Sequence, residues 1–142
     1  LFVCLGGDSE SRNEKVINIP YTKDQNELAK YYSAANVLLY PSIADNCPLV
    51  VLEAQACGLP IVAFDTGGIP ELVKHKKTGF IAKYKDVSGL IEGLDFFLNL
   101  DQNSLNNLGL NASENVSKKF TVQKMANAYI DLYLEWQRAT SL

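Results

Sequence analysis

The apolar positions of this chain fall into short runs in its first half and long helical stripes after that. Residues 1–5, 16–19, 37–40, 61–64 and 80–82 are compact apolar runs, rich in β-branched side chains and bounded by turn residues, which predicts strands. The runs are nearly continuous instead of alternating, as expected where both faces of a parallel sheet are covered. Helical spacing fills the intervals at 26–35 and 48–57, with a short turn at 70–74. Strand and helix therefore alternate, which predicts an α/β sandwich with right-handed crossovers.

Beyond residue 82 only helices are predicted, at 86–98, 103–120 and 122–138. Asp86 and Thr121 are suited to cap the first and last of them. Leu90, Ile91, Leu94, Phe97 and Leu98 form one apolar stripe, and Met125, Tyr129, Leu132, Tyr133 and Trp136 another. Both stripes read as core. The expectation is one domain over 1–142 whose C-terminal helices, about 86–140, pack on the sheet. Leu1 already lies in a strand, with no cap or turn before it, so the chain is expected to be a piece of something longer.

Composition narrows the class. With 142 residues, 47% of them hydrophobic and 20% charged, the chain suits one globular domain burying roughly 70% of its unfolded surface. A formal charge of −3 gives no footprint for nucleic acid. Lys74-His75-Lys76-Lys77 is the one local basic run and reads as a solvated turn. Cys4, Cys47 and Cys57 share no metal-ligand spacing, and their odd number argues against a disulfide framework. A reducing, cytoplasmic setting fits, and no metal site is expected. Asn111-Ala112-Ser113 and Asn115-Val116-Ser117 match the glycosylation acceptor pattern but read as helix-surface residues.

The chemistry concentrates at 45–60, DNCPLVVLEAQACGLP, where Glu53 interrupts an otherwise apolar helix. A carboxylate in such company calls for a partner. Ligands of open parallel sheets bind outside the carboxyl ends of the strands. Three segments leave predicted strands there: 40–48, 64–71 and 19–21. Pro48 donates no hydrogen bond, so the Leu49 and Val50 N–H groups are the expected phosphate donors at the helix start. Glu53 lies about 6 Å further on, at ~1.5 Å per residue, roughly the offset between a diphosphate and its ribose hydroxyls. The missing partner is then a ribose diol held by charge-assisted hydrogen bonds; the alternative is a lysine, a backbone donor or water. Gly67-Gly68 permits a close backbone bend. A G-x-G-x-x-G fingerprint, a Walker lysine and a Ser-His-Asp set are all absent.

Taken together, ELAKYYSAANVLLYPSIADNCPLVVLEAQACGLPIVAFDTGGIPELVKHKKTGFIA resembles the donor-binding half of a GT-B fold glycosyltransferase of the retaining, metal-independent family 4, or group 1. The resemblance covers almost the whole chain and is densest over 27–82. It implies a Rossmann-like parallel sheet sandwiched by helices, half of a GT-B fold with its first strand–helix unit missing. Carried over by position, Glu53 matches the second glutamate of the family's E-x7-E motif, which holds the ribose. Asp45 takes the first, catalytic position, where the family usually has glutamate, and Asn46-Cys47-Pro48 stands where many members have Gly-Phe-Gly. Asp-Asn here is similar to a subgroup making surface polysaccharides. Leu49 and Val50 match the donors to the distal phosphate, Gly67 and Gly68 the sugar pocket, and Tyr21 the segment near the base.

The resemblance further implies a UDP-sugar or GDP-sugar donor and hexosyl transfer without a metal or other cofactor. A saccharide or lipid-linked acceptor would sit on an N-terminal domain absent here. Two diphosphate-clamping residues of the missing first unit are absent as well, so the fragment is expected to be inactive alone. The longer enzyme is expected in the cytoplasm, with the inner membrane face as an alternative. In a strand order 3-2-1-4-5-6, loss of the first strand breaks the sheet in the middle and exposes edges suited to self-association. The competing readings are a noncatalytic α/β interaction module and a nucleotide-sugar epimerase fragment.

Overall fold

The computed structural model describes residues 1–140; the last two positions of the expected 1–142 domain lie outside the described residues. The elements run β1 (Phe2–Gly7), β2 (Ser11–Arg12), β3 (Val16–Pro20), α1 (Gln25–Ala34), β4 (Leu38–Tyr40), α2 (Leu49–Ala56), β5 (Ile61–Phe64), α3 (Ile69–Leu72), β6 (Gly79–Ala82), α4 (Val87–Leu98), α5 (Gln102–Lys119) and α6 (Val122–Thr140). The predicted strands and helices are all present, with ends moved by one or two residues. The sequence reading missed only β2, whose two residues, Ser11 and Arg12, are too short a run to show a period.

The sheet is broken where the first strand's absence was expected to break it. β1, β3 and β2 form one three-stranded sheet, with β1 parallel and β2 antiparallel to β3. β4, β5 and β6 form a second, wholly parallel one. No ladder joins them among the described residues, so β1 and β4 each have one unpaired edge.

The core is built around β5. Ile61, Val62 and Ala63 are fully buried and Phe64 nearly so, because this central strand is covered on both faces. Its side chains alternate between two apolar clusters. Ile61 and Ala63 pack with Tyr32 of α1, Val51 and Ala54 of α2, and Ile69 and Leu72 of α3. Val62 and Phe64 pack with Phe80 and Ala82 of β6, Leu90 and Phe97 of α4, and Leu108 of α5. Asp86 caps α4 by accepting the Gly89 N–H at 3.1 Å, as its position predicted. The Thr121 hydroxyl does the same for α6 from the Lys124 N–H at 3.3 Å.

The expectation that both helical stripes are core fails in part at α4, where Ile91 and Leu98 are 55% and 81% exposed, and wholly at α6. α4 lies on β5 and β6, and α5 packs on α2, but α6 buries no residue at all. Met125, Tyr129, Leu132, Tyr133 and Trp136 are each more than half exposed. The stripe, expected in the core, lies on the surface. Periodicity does not say which surface provides the cover, and the described residues provide none.

Candidate functional site

β4 and β5 deliver the site's two loops from their carboxyl ends. Tyr40 closes β4, and the chain then turns through Asp45 before Pro48 opens α2. The Asp45 carboxylate is half-buried, and both of its oxygens are engaged. Tyr40 donates its hydroxyl to Oδ2 at 2.7 Å, and the Cys47 N–H donates to Oδ1 at 3.1 Å. The second bond is an Asx turn, which fixes the approach to the helix.

The loop after β5 seats itself directly on this one. The Gly68 N–H donates to the Asp45 carbonyl at 3.2 Å. Thr66 donates its hydroxyl to the Ile43 carbonyl at 3.1 Å. Gly67 holds φ at +49°, and a Cβ there would overlap the Asp45 carbonyl oxygen. A Cβ on Gly68 would overlap the Asn46 carbonyl oxygen in the same way. The Gly-Gly pair thus answers a steric demand of the neighbouring loop as well as of its own turn.

α2 begins without a side-chain cap. The first of its N–H groups to find a backbone acceptor is that of Val51, on the Pro48 carbonyl at 3.1 Å. Leu49 and Val50 precede it, exposed, at the positive end of the helix dipole. Their N–H groups stand where an anion is favoured.

Glu53 sits one turn further along, and the expectation of an apolar setting for it is corrected. It faces solvent, because apolar neighbours in sequence occupy other faces of the helix. Val51 and Ala54, on either side of it, take the buried positions. Its carboxylate has one hydrogen-bond partner among the described residues: Tyr32 of α1 donates its hydroxyl to Oε2 at 3.3 Å. Burial, then the adjacent Glu53 charge, pushes the Tyr32 hydroxyl up to about 12 from its usual 10.0. The Tyr40 hydroxyl is likewise raised, by burial first and by its bond to Asp45 second.

The structure therefore brings Asp45, Leu49, Val50, Glu53, Gly67 and Gly68 around the first turns of α2. Tyr21 does not join them by any hydrogen bond. It follows β3 on the other sheet, with 70% of its surface exposed and its N–H on the Gly7 carbonyl at 3.3 Å. The two tyrosines that hold the carboxylates, Tyr32 and Tyr40, were not singled out from the sequence. Tyr40 had a signal, being the last residue of a strand aimed at the Asp45 loop; Tyr32, 21 residues from Glu53, had none. Cys57 is half-buried and packs against the inner cluster, with its thiol pushed up mainly by burial.

The group as a whole is an open surface and not an enclosed cavity. A cavity of about 650 Å3, lined among others by Ser33, Asn36, Cys57, Gly58, Asn106 and Gly109, opens near the amino ends of β4 and β5 and contains none of the site residues. The loops, the helix terminus and the carboxylates meet instead at α2. No group of three His, Cys, Asp or Glu suited to a metal occurs among the described residues.

The model of the family "Glycosyl transferases group 1" matches residues 8–115. The chain belongs to that family. Its curated relatives include the N-acetyl-alpha-D-glucosaminyl L-malate synthase of Bacillus anthracis, 31% identical over 111 residues, 78% of this chain and 29% of that protein. Another is a putative colanic acid biosynthesis glycosyltransferase, WcaL, of Salmonella typhimurium, 33% identical over 116 residues, 78% of this chain and 29% of that one. Sucrose-phosphate synthase from Thermosynechococcus elongatus superposes with a TM-score of 0.83 at 28% identity, over 96% of this chain and 38% of that one. HepE of Anabaena, solved in complex with UDP-glucose, gives 0.75 at 22% identity, over 87% of this chain and 33% of that one, a likeness of fold. The fold is the α/β arrangement of GT-B glycosyltransferases. The chain spans between a fifth and a third of the length of the first curated relatives it matches.

Proposed function

We propose that this chain forms the donor-binding part of a retaining, metal-independent hexosyltransferase that builds surface polysaccharide or glycoconjugate. The observation that carries this reading is the seating of Gly67-Gly68 on the Asp45–Asn46 backbone, beside an uncapped α2 terminus and one turn from Glu53. A nucleoside diphosphate sugar laid across that corner meets each group in turn. The distal phosphate takes the Leu49 and Val50 N–H groups and the helix dipole. The ribose diol donates to Glu53, whose Oε1 has no protein partner among the described residues. The sugar rests against Gly67 and Gly68.

The relatives support this chemistry: HepE is solved with UDP-glucose, and WcaL carries a colanic acid assignment. Transfer then breaks the bond from the anomeric carbon to the diphosphate oxygen. A bond to the acceptor oxygen forms on the same face, and the acceptor's proton passes to the leaving diphosphate. The protein positions the reactants and offsets charge. The acceptor's saccharide or lipid-linked site and the diphosphate clamp belong to the longer enzyme, placed in the cytoplasm or at the inner membrane face, so this chain by itself binds donor weakly and turns over negligibly.

Thermal-shift and calorimetric titration with UDP, GDP and ADP tests the reading. A shift with UDP or GDP is expected, abolished by Glu53→Ala and by Gly67→Ala, whose new Cβ displaces the Asp45 loop. No shift with any nucleotide, or a full shift in Glu53→Ala, overturns it.

Asp45 supports a second reading at that one position. With Tyr40 and Cys47 already holding its two oxygens, it shapes the loop instead of touching the sugar. Asp45→Asn then keeps nucleotide binding, whereas Asp45→Ala loses it together with the loop.

A further inference from the structure

The sequence carries two lysine clusters about forty residues apart: Lys74, Lys76 and Lys77 in one, Lys118 and Lys119 in the other. Each alone reads as solvated surface. The fold brings them to one place. A cleft of about 270 Å3 lies between the turn that leads into β6 and the C-terminal half of α5, and Lys74, Lys77, Lys118 and Lys119 all line it.

Four lysines and a single acidic residue, Glu114, line this cleft, on a chain whose formal charge is −3. Glu114 pairs with Lys118. Lys74 donates to the Pro70 carbonyl at 3.1 Å. The Lys77 and Lys119 ammonium groups have no protein partner among the described residues. Lys76 takes no part, since its ammonium lies 5.7 Å from the centres of the Phe80 and Phe96 rings. Neutral donors complete the lining. The Thr78 hydroxyl accepts the Lys74 N–H at 2.9 Å and keeps its own proton to give, and the Asn111 amide is uncommitted.

Like charges gathered on one surface repel, and an anion bound between them relieves that repulsion. At ~30 Å3 per water, the cleft has room for a phosphate group and its hydration. Lysine serves such groups as a point charge. We infer that this cleft is a binding site for a phosphate group, carried by an anionic lipid headgroup or by a free phosphate. It stands apart from the proposed donor site: the 74–78 turn enters β6 at its amino end, while the donor loops leave β4 and β5 at their carboxyl ends.

The test uses the whole chain at low ionic strength with two probes. One is cosedimentation with phosphatidylcholine vesicles made with and without phosphatidylglycerol. The other is a titration of backbone amide shifts with inorganic phosphate against chloride at equal ionic strength. Binding to the phosphatidylglycerol vesicles alone assigns the headgroup, and shifts confined to the cleft with phosphate assign the free anion. In either case Lys77→Glu/Lys119→Glu should weaken binding at least about tenfold, and added salt should weaken it further. Lys15→Glu/Lys30→Glu, the same charge change at exposed sites elsewhere, should leave it within about twofold. Both pairs are solvent-exposed, and unchanged thermal midpoints confirm folding. Absence of binding to both probes, or an equal loss in the two double variants, overturns the inference.

Discussion

The two sheets of this molecule are written in the same apolar alphabet and end in opposite conditions. Phe2, Val3, Cys4 and Leu5 of β1 are every one exposed, while Ile61, Val62, Ala63 and Phe64 of β5 are every one buried. Composition cannot account for this. β5 has a strand on either side, α2 and α3 on one face and α4 on the other. β1 has β3 on one edge and nothing paired on the other. Burial follows from the number of neighbours, and a strand's sequence reports its need for neighbours, not their presence.

The difference can be measured as stability. Ile61→Ala removes a side chain with no exposed surface from the inner cluster, and its loss is expected to be about 2–5 kcal/mol. Val3→Ala, at a half-exposed position, should cost under about 1 kcal/mol. Urea unfolding followed by far-ultraviolet circular dichroism checks both. Native-state hydrogen exchange should show the same ordering, with the β5 amides protected near the global limit and the free-edge amides of β1 exchanging early. Equal losses at the two positions would mean that β1 is covered by something in solution, and the contrast would dissolve.

A smaller effect probes how firmly α1 is joined to the buried block. Tyr32 is the one residue of α1 inside the core, and it reaches Glu53 on α2. Its proton is held up to about 12, two units above its ordinary value, so the folded state keeps that proton where the unfolded state has lost it. The contribution is complete below pH 10 and falls as pH rises towards 12. Stability should drop by up to about 1 kcal/mol between pH 10 and pH 11 from this group. Denaturant titrations at these two pH values should show a smaller drop in Tyr32→Phe, which cannot ionise. An identical drop in both proteins would show that α1 hangs loosely on α2.

What the sequence disclosed followed the same division. Local features were legible: the strand runs, the Asp86 and Thr121 caps, and the Gly67-Gly68 bend all depend on residues within a few positions of one another. The break between β1 and β4 was legible because the resemblance implies a strand between them in the fold. Features joining distant positions were not. The Tyr32–Glu53 hydrogen bond, the overlap that bars a side chain from Gly67, and the meeting of Lys77 with Lys119 need the fold before they exist. Glu53 shows the mixture. Its place in the helix was right, but its setting was misread, because a run of apolar letters hides which face each letter takes.

α6 carries the comparison to its limit, and the smallest expected effect. Its stripe of Met125, Tyr129, Leu132, Tyr133 and Trp136 has the spacing of a core helix and the exposure of a surface one. Trp136 is 68% exposed, so truncating it removes little that folding has buried. Trp136→Ala should change the unfolding free energy by no more than about 0.5 kcal/mol, against the several expected for Ile61→Ala. Light scattering belongs beside that measurement, because an apolar face of this size and the unpaired edges of β1 and β4 favour self-association. If Trp136→Ala costs more than about 1 kcal/mol and also lowers the scattering mass, a second copy is covering α6 in solution. If it costs that much while the mass stays that of one chain, α6 folds back onto its own domain, and the exposure that separates it from α4 and α5 is wrong.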